Sequence, residues 1–358
     1  MRLTQKNIIP YLLDKGFVNT ESVINGDIMS RQVMSRNSIF HITLDSGTGR
    51  FVKQLQNMTP QDIYWMQKDA TAHYLLHRNK LYSKTKTYIP KYFGYDLQSH
   101  VLVLDYFLQS DNLYDRSLKE GKLSTEYIKQ IADIFISYQK DIGDSIADDP
   151  SLQFYNRELP GILVTPELTI DQSMGLVLNM VQKDDILCQG LDELRCNWSG
   201  NSLIHGDIKL ANFLIVDNND ATQVKLVDWE TSNIGDPLWD VAGLIQSYIS
   251  TWVLGQSSEN NNAYDVIKKV FDIAQVKLVL SEFWHYYIQK QTLEDSKKQS
   301  IEKKVMQLTA ARLLQSANEM NHVDSKQFLP SAILLIQLAQ NIFKNPESAA
   351  IDFLGVTP

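Results

Sequence analysis

Cysteine is scarce in this sequence of 358 residues, and its two representatives are Cys188 and Cys196. Their spacing matches no metal-binding motif, so we expect both side chains to be reduced and structural. Long apolar runs are also missing, since no uninterrupted stretch approaches the ~20 residues of a membrane span. Residues 1–7 lack the apolar core of a signal peptide. These absences predict a cytoplasmic protein without a membrane partner.

Positive charge does not dominate the composition either. The chain carries 34 Lys and Arg residues against 42 Asp and Glu residues, which gives a formal net charge of -8. Nucleic acids bind to clustered basic surfaces, so we expect no nucleic-acid partner. Hydrophobic residues make up 44% and charged residues 21% of the chain, as in ordinary globular proteins. The length is sufficient for two lobes that each have a core of their own.

The most specific pattern lies between residues 205 and 230. An aspartate, Asp207, is followed five positions later by Asn212, and a second aspartate, Asp228, comes after two apolar runs. The runs, 213–216 and 224–227, are rich in β-branched residues, and the stretch 217–220 between them has turn composition. We therefore predict a β-hairpin that brings Asn212 and Asp228 together at its open end.

The residue types at that open end suit a magnesium site. Oxygens of asparagine and aspartate are hard ligands, and Mg²⁺ usually completes its shell with water and nucleotide phosphates. Asp207 lies apart from the pair, where its carboxylate can accept the proton of an incoming hydroxyl. Glu230 is a candidate ligand of a second Mg²⁺. The pattern therefore indicates phosphoryl transfer to a hydroxyl group.

The same residues carry a family resemblance. The spacing from Asp207 to Asn212 equals that of the protein-kinase catalytic loop. Gly206 stands where protein kinases carry arginine, and the run 228–230 reads Asp-Trp-Glu where they carry Asp-Phe-Gly. With the continuation Gly-Asp-Pro-Leu-Trp-Asp at 235–240, the sequence resembles the aminoglycoside phosphotransferase and choline kinase branch of the protein kinase-like superfamily.

The resemblance implies a fold and a division of the chain. The fold is expected to be α+β and bilobal, with a small N-terminal nucleotide-binding lobe built on an antiparallel sheet (1–104). A hinge (105–110) then leads to a larger, mostly helical C-terminal lobe (111–358). That lobe would contain the catalytic loop (205–212), the metal-binding run (228–230) and the acceptor site. Its apolar periodicity predicts amphipathic helices over 264–289, 300–321 and 328–343.

The resemblance also implies roles around the catalytic loop. Asp240 would brace the loop through hydrogen bonds, and His205 would position it. A histidine at a junction between strand and loop commonly makes a structural hydrogen bond, which agrees with that role. Lys209 is open to two interpretations, a solvated loop lysine or a contact to the γ-phosphate.

The N-terminal part is expected to supply the nucleotide site. Two alternating runs, 39–44 and 50–55, flank a turn at 45–49 and predict a β-hairpin. Lys53 lies in the second strand on the same face as Phe51 and Leu55, so its ammonium needs an anionic partner. The resemblance implies that Lys53 contacts ATP phosphates and pairs with a helix carboxylate. The alternative is an edge lysine that reaches water.

Two features depart from the family pattern. The predicted helix 62–77 contains no glutamate, so Asp69 is the candidate partner of Lys53. The phosphate-covering loop has no run of glycines. It reads Ser35, Arg36, Asn37 and Ser38, whose backbone amides and hydroxyls could cover phosphate. A plain polar hairpin loop is the alternative.

The continuous apolar run 101–104 predicts a strand that is buried on both faces. The resemblance implies that the residues after it form the hinge, where main-chain groups of Asp105 and Phe107 would contact the adenine edge. A core strand followed by an ordinary loop has the same sequence, so both interpretations remain open at this stage.

Together these features predict an ATP- and Mg²⁺-dependent O-phosphotransferase that acts on a small molecule of the aminoglycoside or amino alcohol class. One alternative is a kinase that phosphorylates serine or threonine of a ribosomal precursor peptide, with a lyase-like partner, as in lanthipeptide-like tailoring. Another is a nucleotide-binding pseudokinase scaffold.

Overall fold

The fold is known from a computed structural model that describes residues 1–26, 28–33, 35–44, 49–142, 149–167, 175–217, 221–256, 262–291, 294–323 and 325–357. The predicted turns at 45–49 and 217–220 lie largely outside these residues. In chain order the helices and strands are α1 (Ile8–Asp14), α2 (Thr20–Ile24), β1 (Ile28–Val33), β2 (Ser38–Leu44), β3 (Gly49–Gln54), α3 (Pro60–Arg78), β4 (Tyr92–Asp96), β5 (Val101–Asp105), β6 (Ser110–Asn112), α4 (Leu113–Glu120), α5 (Thr125–Tyr138), α6 (Pro150–Gln153), α7 (Leu176–Gln182), α8 (Asp185–Cys196), β7 (Ser202–Ile204), β8 (Phe213–Asp217), β9 (Thr222–Leu226), β10 (Asn233–Gly235), α9 (Leu238–Gln256), α10 (Asn262–Val270), α11 (Ile273–Gln289), α12 (Asp295–Val323), α13 (Ser325–Lys344) and α14 (Pro346–Leu354).

The chain divides into two compact units. Unit 1 comprises Met1–Asp111 and Asn212–Ser232, and unit 2 comprises Asn112–Ala211 and Asn233–Pro358. The sequence prediction grouped residues 212–232 with the helical lobe, whereas here the β8–β9 hairpin belongs to unit 1. Main-chain hydrogen bonds explain this, because the Leu226 amide donates to the Tyr88 carbonyl (2.8 Å) and the Asp217 amide to the Gln109 carbonyl (3.0 Å).

The main sheet of unit 1 has five strands in the order β1-β2-β3-β5-β4, and neighbouring strands are antiparallel. Adjacent residues of β5 point to opposite faces, as strand geometry requires. Val101 and Val103 pack with α1 residues, and Leu102 and Leu104 pack with Met66 of α3. The run 101–104 is therefore buried on both faces, as its continuous apolar sequence predicts.

Helix α3 begins where its sequence provides a cap. The hydroxyl of Thr59 accepts a hydrogen bond from the Asp62 amide (3.1 Å), and Pro60 occupies the first turn, where its missing N–H costs nothing. The helix covers one face of the sheet through Met66 and Ala70. This orientation also buries Asp69, which becomes important at the candidate site.

Unit 2 is mostly helical, and its most buried helix is α9, where every residue from 238 to 251 is buried. Helices α9 and α13 both pack against α12. The predicted helix over 264–289 divides into α10 and α11, because the Asp272 side chain accepts from the Ala274 amide (2.9 Å) and caps a new helix. Strands β7 and β10 form an antiparallel pair with Ile204 opposite Asn233.

An antiparallel sheet in unit 1 and a mostly helical unit 2 confirm the predicted α+β fold class. Within the part of the chain that the structure describes, no helix is both long and apolar enough to cross a membrane.

Candidate active site

A cluster of charged side chains surrounds the buried Lys53 in unit 1. The Lys53 Nζ lies 2.9 Å from Asp69 Oδ2, 3.0 Å from Glu230 Oε2 and 3.3 Å from Asp228 Oδ1. The lysine is 7% exposed, so it does not reach water as an edge lysine would. Burial by itself lowers the pKa of Lys53, but the three carboxylates outweigh it and raise that pKa above its ordinary value. Lys53 is therefore a permanent cation at neutral pH.

Asp69 takes the place that the sequence prediction assigned to it, directly beside Lys53. Its carboxylate is 2% exposed, and burial raises the pKa of this carboxyl while Lys53 opposes the rise. The other carboxylate oxygen, Oδ1, lies 3.6 Å from Nε2 of His73, one helical turn further along α3. An aspartate is thus long enough for this contact, because strand and helix bring both side chains into the same buried space.

Asn212 and Asp228 lie at the same end of the β8–β9 hairpin, but they are not directly opposite each other. Phe213 pairs with Leu226, and the Asn212 carbonyl accepts from the Val227 amide (3.0 Å). The register therefore places Val227 opposite Asn212, and Asp228 follows one residue later. Asp228 has a φ of 70°, a left-handed conformation that aspartate tolerates better than most side chains.

The oxygen ligands at this end of the hairpin fit a magnesium ion that binds mainly through its nucleotide. Mg²⁺ commonly uses one or two carboxylates plus substrate phosphates, and unit 1 offers the Asp228 carboxylate and the Asn212 amide. Among the described residues, no group of three or more His, Cys, Asp or Glu side chains could hold a metal ion. Glu230 forms ion pairs with two cations, Lys53 and Arg36. To bind a second Mg²⁺, its carboxylate would have to break one of these ion pairs.

The loop between β1 and β2 contains the residues predicted to cover phosphate. The structure brings the Arg36 side chain to the ion cluster, since its Nη2 lies 2.8 Å from Glu230 Oε1 and its Cζ lies 5.0 Å from the centre of the Trp65 ring. The Ser35 carbonyl accepts from the Gln56 side chain (3.3 Å). Asn37 and Ser38 are buried, and Ser38 begins strand β2.

The predicted hinge residues lie at the end of β5. The Asp105 amide donates to the Lys91 carbonyl (2.9 Å), and burial raises the pKa of the Asp105 carboxyl, with Arg50 opposing. The Phe107 carbonyl accepts from the Ser110 hydroxyl (2.9 Å). The main-chain contacts of Asp105 and Phe107 to a base stay a prediction.

The catalytic loop of unit 2 is braced by Asp240, in the first turn of α9. Its Oδ2 accepts from the His205 amide (2.7 Å) and from the Tyr138 hydroxyl (2.6 Å), and its Oδ1 accepts from the Gly206 amide (2.9 Å). Complete burial raises the pKa of the Asp240 carboxyl, while His205 and the hydrogen bond from Tyr138 oppose the rise. These contacts are the hydrogen bonds that the resemblance implies for Asp240.

His205 and Lys209 both contact Asp207 within the loop. The imidazole of His205 is fully buried, and its Nδ1 accepts from the Asp207 amide (3.3 Å), which is a positioning arrangement. The Lys209 Nζ lies 2.6 Å from Asp207 Oδ2, and both side chains are partly exposed. Lys209 is therefore paired with the predicted proton acceptor, and its contact to a γ-phosphate stays a prediction.

Sequence reasoning missed two residues that hold this loop, Tyr138 and Arg312. Tyr138 ends the amphipathic helix α5 and looks like an ordinary core residue. Arg312 carried a usable signal, because it is a lone charge within an apolar segment of α12, and a charge in such a position needs a buried partner. It donates to the carbonyls of Gly206 and Ile208, each at 3.3 Å.

Comparison with known proteins finds a family model that matches part of the chain. The profile of the Phosphotransferase enzyme family, APH, matches residues 167–278, a stretch that contains the whole segment from His205 to Asp240. No curated protein matches the chain.

Solved structures with a similar fold include two named kinases and a ternary complex. Ethanolamine kinase from Plasmodium vivax has a TM-score of 0.59 and 11% identity, and the match covers 96% of this chain and 91% of that one. Choline kinase from Cryptosporidium parvum has 0.57 and 14%, with coverage of 99% and 100%. The ternary complex of APH(2")-IIa with streptomycin and ATP has 0.50 and 15%, with coverage of 95% and 99%. The likeness in fold and the family match confirm the predicted resemblance.

Proposed function

We propose that the chain is an ATP-dependent O-phosphotransferase that transfers the γ-phosphate of Mg²⁺-bound ATP to a hydroxyl group of a small amino alcohol or amino sugar. The observation that carries the proposal is the group of three carboxylates, from Asp69, Asp228 and Glu230, around the buried Lys53. A permanent cation held by a helix carboxylate, next to a carboxylate suited to a metal, is the equipment that polyphosphate binding requires.

The charge of this cluster supports the same conclusion. Lys53 and Arg36 contribute two positive charges, and Asp69, Asp228 and Glu230 contribute three negative charges, which leaves a net charge of minus one. The carboxylates of this cluster suit a divalent cation, and the side chains of Lys53 and Arg36 suit the phosphates that arrive with it. Asn212 and Asp228 would hold Mg²⁺, which would supply charge neutralisation at the phosphates.

The remaining steps belong to residues of this chain. Lys53 would bind and orient the phosphates, and the carbonyl of Asp105 and the amide of Phe107 would bind the base. Asp207 would accept the hydroxyl proton of the acceptor on a carboxylate oxygen as the new bond from oxygen to phosphorus forms. The bond between the γ-phosphorus and its bridging oxygen breaks in the same displacement, and ADP leaves. Catalysis would come from positioning and electrostatics, with no covalent intermediate.

The similar structures support ATP as the phosphate donor and an amino alcohol or amino sugar as the acceptor. The APH(2")-IIa complex contains ATP together with streptomycin, and two others are named as ethanolamine and choline kinases, so amino alcohols and amino sugars come first as acceptors. These comparisons favour a small molecule over a precursor peptide with a lyase-like partner. The presence of Lys53, Asp207, Asn212 and Asp228 argues against a pseudokinase scaffold.

Acceptor profiling tests the proposal. The protein is incubated with γ-labelled ATP and Mg²⁺ against ethanolamine, choline, aminopropanol, a panel of aminoglycosides and a serine-rich peptide, with Asp207→Asn as the control. We expect labelled small-molecule product that is lost with the variant. Label in the peptide alone would support the precursor-peptide kinase instead. Binding of MgATP without ADP release in any reaction would support the pseudokinase scaffold.

A further inference from the structure

Side chains from two helices bind main-chain groups of the predicted catalytic loop. On the donor side, Asp240 accepts from the amides of His205 and Gly206, and the Ser247 hydroxyl accepts from the Leu210 amide (3.1 Å). Both acceptors lie on α9. The side chain that binds carbonyls of the loop lies on α12.

Arg312 holds two of these carbonyls with the two ends of one guanidinium. Its Nη1 donates to the Gly206 carbonyl and its Nη2 to the Ile208 carbonyl, at 3.3 Å each. These are the residues immediately before and after Asp207. The planar fork of arginine donates in fixed directions, so a single side chain fixes the peptide unit that precedes Asp207 and the one that follows Ile208.

The surroundings of Arg312 show that this is a built arrangement. The residue is 4% exposed, its Cζ lies 5.0 Å from the centre of the Trp239 ring, and Nη1 also donates to Gln315 Oε1 (3.2 Å). The Trp239 indole N–H donates to the same Gly206 carbonyl (3.4 Å). A buried charge is costly unless it is compensated, so we expect the buried guanidinium of Arg312 to contribute to structure or function.

The charges that face Arg312 come from three parts of unit 2. Burial lowers the pKa of the guanidinium, and Asp207 in the loop, Glu319 on α12 and Asp240 on α9 oppose that shift. Because arginine remains charged throughout the usable pH range, a fixed positive charge stands near Asp207. Lys209 supplies a second one, but from a partly exposed and flexible side chain.

Gly243 of α9 makes the close approach possible. A Cβ at this position would lie 3.1 Å from the Ile208 Cβ, 3.3 Å from the Ile208 carbonyl oxygen and 3.4 Å from Nη2 of Arg312. A larger residue would push α9 away from the loop at the point where the fork binds. The loop, α9 and α12 therefore meet around the contact between Arg312 and Ile208.

We propose that Arg312 is a positioning residue for phosphoryl transfer: by holding the carbonyls of Gly206 and Ile208, it fixes the direction of the Asp207 carboxylate. The inference rests on the proposed function, since it assigns Asp207 as the proton acceptor. The residues proposed to bind the nucleotide, Lys53, Asp105 and Phe107, belong to unit 1, whereas Arg312 belongs to unit 2. Its loss should therefore lower kcat and leave the KM for ATP nearly unchanged.

The test is a double-mutant cycle between Arg312 and Asp207. The variants are Arg312→Met, Arg312→Lys, Asp207→Asn and the combined changes, and Lys303→Met serves as the matched control because it is an exposed cation on the same helix. The measured rate is that of transfer of labelled phosphate from MgATP to the acceptor found by profiling, or to water. Binding of MgADP is measured by calorimetry.

We expect Arg312→Met to lower kcat by about 100-fold, since a displacement of ~1 Å at a reacting group has that effect. Arg312→Lys keeps the charge but loses the fork, so its rate should be intermediate. In the Asp207→Asn background the same changes should have little further effect, because Arg312 acts through Asp207. Lys303→Met should behave as wild type, and MgADP binding should be equal throughout.

Equal fold-losses in the wild-type and Asp207→Asn backgrounds would show a merely structural role and overturn the inference. Should Arg312→Met fail to fold, the cycle with Arg312→Lys gives the same comparison. Turnover that depends on Asp207 but is unaffected by both Arg312 variants overturns this inference alone. Lack of any Asp207-dependent turnover in the wild type overturns the proposed function and this inference together.

Discussion

Replacement of Asp69 by asparagine is predicted to destabilise the protein although the change is nearly isosteric. Lys53 and Asp69 have side chains that are 8% and 3% exposed, and asparagine would leave the buried ammonium without its best-shielded counter-charge. Breaking a buried pair from one side typically costs about 3–5 kcal/mol. Lys53 would keep Glu230 at 3.0 Å and Asp228 at 3.3 Å, which compensate in part. We therefore expect a loss of about 2–3 kcal/mol.

The double variant Lys53→Met/Asp69→Leu separates stability from function. Apolar replacement of both members of a buried pair is often neutral or even stabilising, so most of the lost stability should return. Phosphoryl transfer should not return, because the phosphates would lose their cation. Free energies of unfolding come from urea denaturation followed by circular dichroism, and turnover comes from ADP release.

The exposed Asp14 of the same unit provides a matched control, and Asp14→Asn should change stability by less than about 0.5 kcal/mol. Two results would refute the reasoning. One is a double variant that is no more stable than Asp69→Asn. The other is a double variant that retains wild-type turnover.

Three further predictions follow from the described contacts. Tyr138→Phe removes the hydroxyl that donates to the buried Asp240 carboxylate (2.6 Å) and should cost about 1.5–3 kcal/mol of stability, measured by urea denaturation, with unchanged MgADP affinity; a cost near zero would contradict the assigned bracing role. Asp228→Ala should abolish turnover at every Mg²⁺ concentration, whereas Asp207→Asn should bind MgATP normally and lose most phosphoryl transfer. Calorimetry measures the binding of MgATP, and ADP release measures the transfer. If Asp207→Asn lost MgATP binding and Asp228→Ala kept it, the assignment of metal ligand and proton acceptor would be reversed. The carboxylates raise the pKa of Lys53 in the folded state, so the stability that its charge contributes should be complete below about pH 10.4, the ordinary lysine pKa, and should decline as pH rises beyond it; the difference in unfolding free energy between wild type and Lys53→Met, followed from pH 7 upward, checks the sign.

Part of the candidate site could be predicted because its pattern is local. The spacing from Asp207 to Asn212, the two short apolar runs and the turn composition between them predict a catalytic loop that leads into a hairpin. The alternation in β3 puts Lys53 on a buried face, which by itself demands an anionic partner. The absence of glutamate from helix α3 leaves Asp69 as the partner, and the structure shows that contact.

Other parts could not be predicted, because the contacts join residues far apart in the chain. The ion pair of Arg36 with Glu230 depends on how the β1–β2 loop and the hairpin pack, and hydrophobic periodicity says nothing about that. The strand register places Val227 opposite Asn212, and a shift by one residue would change that pairing. The composition of the two runs predicts only that the strands pair, and it does not predict their register. The hairpin belongs to unit 1 because of main-chain bonds to Tyr88 and Gln109, which leave no mark on side-chain patterns.

The sequence by itself predicted the reaction class, because the residues proposed for the proton acceptor and the metal site lie within one short segment whose local geometry follows from strand and turn chemistry. Only the tertiary structure decided how those groups are held. Asp240 and Arg312 reach the loop from helices that begin 31 and 88 residues after Asp207 and carry these side chains at fixed turns. Every non-proline residue has the same main-chain carbonyl and amide, so the sequence of the loop does not show which side chains bind its backbone. Those partners can be identified only from the packing of the helices.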